Sequence, residues 1–476
     1  MNLYIDNHKF HYEMENLCRA FLFTEEVRVI HEYESFEQPY ILTSVHDEVR
    51  VELSAEGRVE ALSAPLSEDN ELTMGQLLYR VLSKVYAREL PWGILTGVRP
   101  IKLFSRLADK DGAGEARRYF RETLYVSEEK TALAEKVREN QSAILRRSDR
   151  RSFSLYVSIP FCPTRCNYCS FVSQTVEKAK KLIDGYLPLL LSEIRYTAEL
   201  VKELKLRLES VYIGGGTPTT LSAEQLDILL SEIEADFDLT TCAEFTVEAG
   251  RPDTVTREKL LTLKKHPVTR ISINPQTFSD SVLEAIGRRH TSQQTIDAFR
   301  LARELGFDNI NMDLIAGLTS DTPESFENTI NTVHRLDPES VTVHTLAVKR
   351  SARLSSADAV REQAYTAQML DYAEKKLTEG SYEPYYLYRQ SKMLSNLENI
   401  GWAKKGFFSP YNVYIMEETH SILACGAGAV TKLRDTDSDW IERIFNFKYP
   451  YEYISRFDEL IERKARIISF YGEYNK

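Results

Sequence analysis

Three cysteines with the spacing C-x3-C-x2-C lie in the stretch 161-FCPTRCNYCSF-171, where they are Cys162, Cys166 and Cys169. The stretch follows a short strand-like run, 155-LYVSIP-160. Cysteine thiolates are the usual ligands of iron–sulfur clusters. Three such ligands on a four-iron cluster leave one iron open to bind another molecule. The spacing therefore favours an open-iron cluster on a loop at the end of a strand.

Two other interpretations of these cysteines stay open from the spacing alone. A structural zinc site normally needs a fourth protein ligand close by. The nearest downstream histidines, His266 and His290, lie about a hundred residues away in the sequence. Inert or redox-active thiols are the other alternative, although three clustered thiols pair badly as disulfides. Both alternatives are weaker than the cluster.

Composition narrows the class of protein. The chain has 476 residues, 43% of them hydrophobic and 28% charged, which predicts a water-soluble protein of two or three domains. The net charge of −11 argues against non-specific nucleic-acid binding. Six cysteines in so long a chain are no secreted disulfide framework. We find no signal peptide and no apolar run long enough to span a membrane, so we expect a cytoplasmic protein.

The first predicted domain, residues 1–148, combines strands and helices in an α+β arrangement of unknown role. Helices are expected at about 71–88 and 112–145. Between them, 90-LPWGILTGVRP-100 is typical of a packed turn, and a loop that contacts substrate or the next domain is the alternative. The expected strands are Leu3–Ile5, His8–Tyr12, Val27–Tyr33, Tyr40–Val45 and Val49–Leu53.

The central region, residues 149–380, repeats a strand followed by a helix six times. Such alternation indicates α/β architecture with a parallel sheet, and six units fall short of an eight-fold barrel. We therefore predict a partial (β/α)6 TIM-like barrel, with ligands at the carboxyl ends of its strands. The strands are expected near 154–159, 208–213, 243–248, 269–274, 308–315 and 340–347.

Residues 156–171 resemble the opening "YxxIPFC…C…YC" of radical S-adenosylmethionine (SAM) enzymes of the oxygen-independent coproporphyrinogen III oxidase group. The resemblance covers about residues 150–430. It implies a [4Fe–4S] cluster on Cys162, Cys166 and Cys169, with SAM as the second cofactor and Tyr156 and Tyr168 beside them. The 90–100 stretch is similar to "WGxLTGVRP" of a longer, coproporphyrinogen dehydrogenase-like branch that carries an extra N-terminal domain.

The same resemblance implies a set of SAM contacts at the strand ends. The run 214-GGGTPT-219 is similar to a family motif near the methionyl group, although a tight turn is its alternative reading. Arg288 matches a family arginine beside the cofactor, or else lies at a solvated helix end. His344 could be catalytic, but an inward-facing core histidine is favoured. The implied SAM contacts are Gly215, Gly216, Thr217, Glu248, Gln276, Arg288, Asp313 and Ala347.

The last region, residues 381–476, is expected to be smaller and to cover the substrate. Four tyrosines in 382-YEPYYLYRQ-390 predict an aromatic strand in the core, or a face that stacks on a tetrapyrrole. Two departures from the family stand out. Phe171 occupies the position of a fourth cysteine in the authentic oxidase. Glu398 aligns with the haem-ligating histidine of the related haem chaperones.

The leading functional hypothesis is an oxidoreductase. The resemblance implies reductive cleavage of SAM to a 5′-deoxyadenosyl radical, which would initiate oxidative decarboxylation of coproporphyrinogen III to protoporphyrinogen IX. Reduced flavodoxin or ferredoxin is the expected electron donor. The alternatives are a haem or tetrapyrrole carrier, with His420 or His344 as haem ligand, and a radical SAM enzyme acting on another tetrapyrrole.

Overall fold

The structure is a computed structural model. It describes residues 1–476 except 23–24, 56, 98, 170–173, 347–355, 390–396 and 475–476. Side chains are not described for residues 176–181 and 356–364. In the described part of the chain, no helix combines the length and the apolar character that crossing a membrane requires.

The first part of the chain forms a five-stranded mixed sheet in the order β2-β1-β3-β4-β5, covered by helices. Ser127 caps the helix α5 by accepting a hydrogen bond from the Lys130 backbone N–H. The strands are β1 (Asn2–Asp6), β2 (Arg28–Ile30), β3 (Tyr40–Val45), β4 (Glu48–Ala55) and β5 (Arg58–Pro65). The helices are α1 (His11–Phe21), α2 (Asn70–Tyr86), α3 (Pro100–Asp111), α4 (Ala113–Arg118) and α5 (Glu128–Leu145).

Three expectations for this region were wrong. The strand expected at His8–Tyr12 is absent, because α1 begins at His11 and buries Met14, Leu17, Cys18 and Phe21 at helical spacing. The helix expected at 112–145 is interrupted by a five-residue π-helical turn, Tyr119–Thr123. The strand β5 was missed because its residues are alternately exposed and half-buried.

The second sheet has eleven strands, and its centre confirms the predicted α/β fold. The strands β6 (Ser152–Ile159), β9 (Arg207–Gly215), β10 (Glu244–Glu248), β11 (Arg270–Ser272), β12 (Ile310–Ala316) and β13 (Ser340–Thr345) pair side by side in parallel and in chain order. The helices that follow them are α6 (Val176–Leu204), α7 (Ala223–Asp236), α8 (Arg257–Lys265), α9 (Asp280–Ala285), α10 (Ser292–Glu304), α11 (Pro323–Leu336) and α12 (Ser356–Glu379). A two-stranded ladder after β6 joins β7 (Phe161–Cys162) to β8 (Gln174–Thr175).

The C-terminal region extends this sheet at both edges. At one edge β15 (Asn399–Lys404) pairs antiparallel with β13 and with β14 (Tyr382–Tyr388). At the other edge β16 (Ser421–Cys425) pairs parallel with β6. The remaining elements are β17 (Val430–Arg434), β18 (Ile441–Phe445), α13 (Pro410–Glu417), α14 (Pro450–Ser455), α15 (Phe457–Lys464) and α16 (Arg466–Tyr474).

The two largest hydrophobic cores divide along the chain near residue 91, and two smaller clusters among the described residues include Val282 and Tyr385, respectively. The first joins residues between Leu3 and Leu90. The second begins at Trp92 and joins α3 and α5 to the parallel sheet and its helices. The predicted domain boundary at residue 148 stays a prediction, but the cores join residues 92–145 to the parallel sheet.

Candidate active site

Beyond the carboxyl end of β6, Cys162 ends β7, and Cys166 and Cys169 lie on the loop between β7 and β8. Each is half-buried and none forms a disulfide. The loop is held against the turn after α9, because the Asn167 backbone N–H donates to the Ile286 carbonyl at 3.0 Å. Thr164 Oγ1 donates to the Gly287 carbonyl at 3.1 Å. These two hydrogen bonds therefore fix the cysteine loop to the turn that follows α9.

Cys162 is adjacent to the glycine-rich turn that follows β9. Thr217 Oγ1 donates to Cys162 Sγ at 3.5 Å, and the Gly216 backbone N–H donates to the Ile159 carbonyl at 2.8 Å. A Cβ atom on Gly216 would lie 2.6 Å from the Phe161 carbonyl oxygen and 2.9 Å from Cys162 Sγ. Only glycine permits this approach. Gly215 has a φ of 108°, which also favours glycine.

Two buried arginines approach Cys166. Arg251 Nη1 lies 3.9 Å from Cys166 Sγ, and Arg288 forms side-chain hydrogen bonds with Cys166 and Tyr168. Arg288 Nη1 also donates to the Asn274 carbonyl at 2.7 Å, so it does not lie at a solvated helix end. Burial raises the pKa of Tyr168, which keeps its hydroxyl protonated. Positive charge therefore surrounds the sulfur of Cys166.

Three tyrosines stack on the inner face of the barrel. The ring centroid of Tyr212 lies 6.2 Å from that of Tyr156 and 4.4 Å from that of Tyr411, and the Tyr156 and Tyr411 centroids are 6.3 Å apart. Tyr212 donates to Glu248 Oε1 at 2.6 Å. Burial, together with the charge of Asp313, raises the pKa of Glu248 to about 7, although the Tyr212 hydrogen bond opposes the shift. This carboxyl is thus balanced between its two protonation states near neutral pH.

Gln276 and Asp313 meet where β11 and β12 end. Gln276 has a φ of 66°, which is uncommon for a residue with a Cβ atom. Its backbone N–H donates to the Asp313 carbonyl at 2.9 Å, and its own carbonyl accepts from the Ile315 N–H at 3.0 Å. Asn311 Nδ2 donates to Asp313 Oδ1 at 2.8 Å. Such backbone strain is often found at binding sites.

His344 lies on β13 beside Asp313, with 4.0 Å between His344 Nε2 and Asp313 Oδ1. Its Nδ1 atom is 3.4 Å from the Tyr388 hydroxyl. Burial lowers the pKa of His344. The ring is part of the polar inner face, whereas Tyr382, Tyr385 and Tyr386 of β14 are buried, as an aromatic core strand requires.

The predicted site residues form one connected group, with a single exception. The exception is Ala347, which lies outside the described residues. Sequence reasoning missed Arg251, Tyr212 and Tyr411. The alternation of β9 could have revealed Tyr212, since Ser210 and Tyr212 share a face of that strand. Tyr411 lies on α13, and its contact with Tyr212 depends on the tertiary structure.

The surroundings of the sulfurs decide whether a four-iron cluster suits this loop. Within the residues that the structure describes, no three histidine, cysteine or acidic side chains are grouped as ligands of a single metal ion. Around the sulfurs, however, Thr217 donates to Cys162, and Arg251 and Arg288 lie against Cys166. Donors and positive charge suit thiolates that carry an anionic cluster. The residues therefore fit the group.

Comparison with known proteins gives the family. The radical SAM superfamily matches residues 156–333. The oxygen-independent coproporphyrinogen-III oxidase-like protein HemZ of Bacillus subtilis is 39% identical over 388 residues, which cover 79% of this chain and 77% of HemZ. The heme chaperone HemW of Bacillus subtilis is 41% identical over 200 residues, 41% of this chain and 51% of HemW.

A solved structure agrees with these relatives. Coproporphyrinogen III oxidase (HemN) of Escherichia coli, a radical SAM enzyme, is 25% identical with a TM-score of 0.52, covering 67% of this chain and 71% of HemN. The chain belongs to the radical SAM superfamily, in its oxygen-independent coproporphyrinogen-III oxidase-like branch. Its cofactors are a [4Fe–4S] cluster and SAM.

Proposed function

We propose that the protein is a cytoplasmic oxidoreductase that converts coproporphyrinogen III to protoporphyrinogen IX. Two propionate side chains would each lose a hydrogen atom and carbon dioxide and pass one electron to an external one-electron acceptor, leaving vinyl groups. The similarity to HemZ and HemN supports this substrate, whereas the similarity to HemW supports a carrier. The surroundings of Glu398 favour the enzyme over the carrier.

Glu398 is the observation on which the proposal depends. It aligns with the histidine that binds haem in the chaperones, yet its side chain is only 1% exposed. Glu398 Oε2 accepts a 2.6 Å hydrogen bond from Trp92 Nε1, and Glu398 Oε1 lies 2.6 Å from Lys130 Nζ. Both carboxylate oxygens are thus engaged inside the protein, which disfavours haem ligation from this position.

The histidine candidates for a carrier are also constrained. His420 is buried, with Ser148 Oγ at 2.8 Å from Nδ1 and Ser154 Oγ at 2.9 Å from Nε2. Burial lowers its pKa to about 3, so the ring is neutral and both of its nitrogens have hydrogen-bond partners. His344 contacts Tyr388 and lies close to Asp313. Neither nitrogen of His420 is therefore free to bind haem iron.

In this proposal Cys162, Cys166 and Cys169 hold the cluster. Bound together, the cluster and SAM supply a carbon radical that removes a hydrogen atom from the substrate. The residues proposed to hold SAM are Tyr156, Tyr168, Gly215, Gly216, Thr217, Glu248, Gln276, Arg288 and Asp313, with Ala347 proposed for adenine.

The aromatic residues of the site would orient the reactants and exclude water. The stacked rings of Tyr156, Tyr212 and Tyr411 form an aromatic wall on the inner face. The Tyr212 hydrogen bond fixes the rotamer of Glu248. A wall of this kind suits a flat, partly apolar substrate and shields a reactive carbon centre from solvent.

The test is an anaerobic turnover assay of the reconstituted protein. The mixture contains SAM, coproporphyrinogen III and reduced flavodoxin or ferredoxin, and mass spectrometry follows 5′-deoxyadenosine and the porphyrin products. Loss of two carboxylates, absent in Cys166→Ala, is the expected result. Deoxyadenosine without decarboxylation would instead indicate another tetrapyrrole substrate. An intact cluster with no SAM cleavage, together with haem binding, would overturn the enzyme in favour of a carrier.

A further inference from the structure

Arg251 has a geometry that the proposed function leaves unused. It follows β10 in the run 249-AGRP-252. Its side chain is only 4% exposed. Two of its nitrogens, Nε and Nη2, donate to the two carboxylate oxygens of Asp253 at 2.9 Å and 2.8 Å. This bidentate pairing fixes the plane of the guanidinium group.

The fixed plane directs the third nitrogen at the cysteine loop. Nη1 donates to Thr164 Oγ1 at 3.0 Å and lies 3.9 Å from Cys166 Sγ. Thr164 in turn donates to the Gly287 carbonyl at 3.1 Å. One guanidinium group thus connects a carboxylate, the loop hydroxyl and a cysteine sulfur.

The local charges do not cancel at Cys166. Arg288 is a second buried cation beside this sulfur, while Asp253 is the carboxylate paired with Arg251. Although burial opposes it, the hydrogen bonds and charge of Arg251 hold the pKa of Asp253 below its usual range, which keeps this carboxyl ionised. His290, 4.0 Å from Asp253, adds no charge at neutral pH, because burial and both arginines lower its pKa to about 4.

We propose that Arg251 is a positioning residue that raises the reduction potential of the cluster by directing its guanidinium group at Cys166 Sγ. Reduction adds one negative charge to the cluster, and a buried cation with an N–H group aimed at a ligand sulfur stabilises the reduced form. Asp253 holds Arg251 in place and partly offsets its charge. This inference rests on the proposed cluster site.

The test is an EPR-monitored redox titration of the full-length, reconstituted protein without SAM. Arg251→Gln is expected to lower the potential, so that the ratio of reduced to oxidised cluster at a fixed potential falls about tenfold, or about 59 mV for one electron. Asp253→Asn is expected to raise the potential, because it removes the offsetting charge. Arg251→Lys keeps the charge and is expected to give the smaller decrease.

The matched control is Arg257→Gln, which removes the same charge six positions along the chain. Arg257 is 52% exposed and pairs with Glu304. The cluster of the Arg257→Gln variant should therefore have the reduction potential of the wild type. The inference is overturned if Arg251→Gln retains its iron and leaves the potential unchanged, or if Asp253→Asn lowers it. If Arg251→Gln loses its cluster, Asp253→Asn and Arg251→Lys still decide. A wild-type protein that binds no cluster would instead refute the proposed site.

Discussion

Trp92 donates a 2.6 Å hydrogen bond to Glu398, and this contact joins the beginning of the second core to the strand beside His344. Lys130 Nζ lies 2.6 Å from the other oxygen of the same carboxylate. The next residue, Asn399, accepts a 2.8 Å hydrogen bond from the Thr345 backbone N–H. The N-terminal region is therefore in direct contact with the segment that begins β15, the strand that pairs with β13.

We expect Glu398→Gln to lower the free energy of unfolding by about 3 kcal/mol, because it leaves the buried Lys130 ammonium without its closest counterion. Trp92→Phe removes the N–H donor and part of a fully buried ring, so we expect the lost hydrogen bond and the cavity together to cost about 2–4 kcal/mol. Urea unfolding monitored by circular dichroism measures both changes.

Trp440→Phe is the matched control for Trp92→Phe. Trp440 is 55% exposed, and its substitution should change stability by less than about 0.5 kcal/mol. The double variant Lys130→Met/Glu398→Gln should recover part of the loss. Equal stability of wild type and Glu398→Gln would contradict the buried ion pair.

The raised pKa of Glu248, about 7, makes stability depend on pH. An unfolded glutamate titrates near pH 4.3, so between about pH 4.3 and 7 the folded protein holds a proton that the unfolded chain has lost. This carboxyl therefore reduces stability as pH rises through that window, and the reduction persists above it. Glu248→Gln should be more stable than the wild type at pH 8 by about 3–4 kcal/mol, and similar to it at pH 4.

Thermal unfolding of the apoprotein at several pH values measures this difference. Tyr212→Phe removes the hydrogen bond that opposes the shift, so its stability should fall over a window that extends to higher pH. A constant difference between Glu248→Gln and the wild type across the whole pH range would show that Glu248 does not titrate in this window.

Alanine substitutions can distinguish the three cysteines proposed as cluster ligands from another half-buried cysteine of the chain. We expect Cys162→Ala, Cys166→Ala and Cys169→Ala each to reduce bound iron and sulfide after reconstitution about tenfold, since each thiolate ligates a separate iron. Cys242→Ala is the control, because Cys242 is also half-buried but lies before β10. Normal iron content in any of the three loop variants would remove that residue from the ligand set.

Gly216→Ala tests the close approach of the glycine-rich turn to the cysteine loop. Its Cβ atom would lie 2.9 Å from Cys162 Sγ and 2.6 Å from a backbone oxygen, so one of the two segments must move. We expect several-fold weaker SAM binding and a lower iron content, measured by equilibrium dialysis and iron assay. Gly114→Ala is the control, because its Cβ would contact nothing within 4 Å. Unchanged SAM binding in Gly216→Ala would mean that the turn yields without cost.

The parallel sheet and the cysteine loop were predictable because their signals are local. A strand that alternates inside a parallel sheet, and cysteines at a fixed spacing, are both visible within ten residues. Arg251 and Tyr411 were not predictable. Their roles depend on which loops and helices converge on the barrel, and Arg251 acquires its contact with Cys166 only when segments 85 residues apart meet.

The N-terminal region shows the same limit. A strand was expected at His8–Tyr12, where α1 begins at His11, because the apolar residues that follow show their helical spacing only over a longer window. The 90–100 stretch gave two readings, a packed turn and a loop that contacts substrate or the next domain, and the burial of Trp92 supports the packed turn. Trp92 is fully buried in the second core, and it also contacts Glu398 from the C-terminal region.

The pairing of β16 with β6 sets an order of events during synthesis. Ser158, near the end of β6, donates to the carbonyl of Ala427, 269 residues later in the chain. Until the ribosome has released that distant segment, one edge of the nascent barrel has no neighbour, and the strand leading into Cys162 lacks half of its support. Iron delivery to this protein should therefore follow completion of the polypeptide, and a ribosome stalled before β16 should carry a chain that does not retain the cluster.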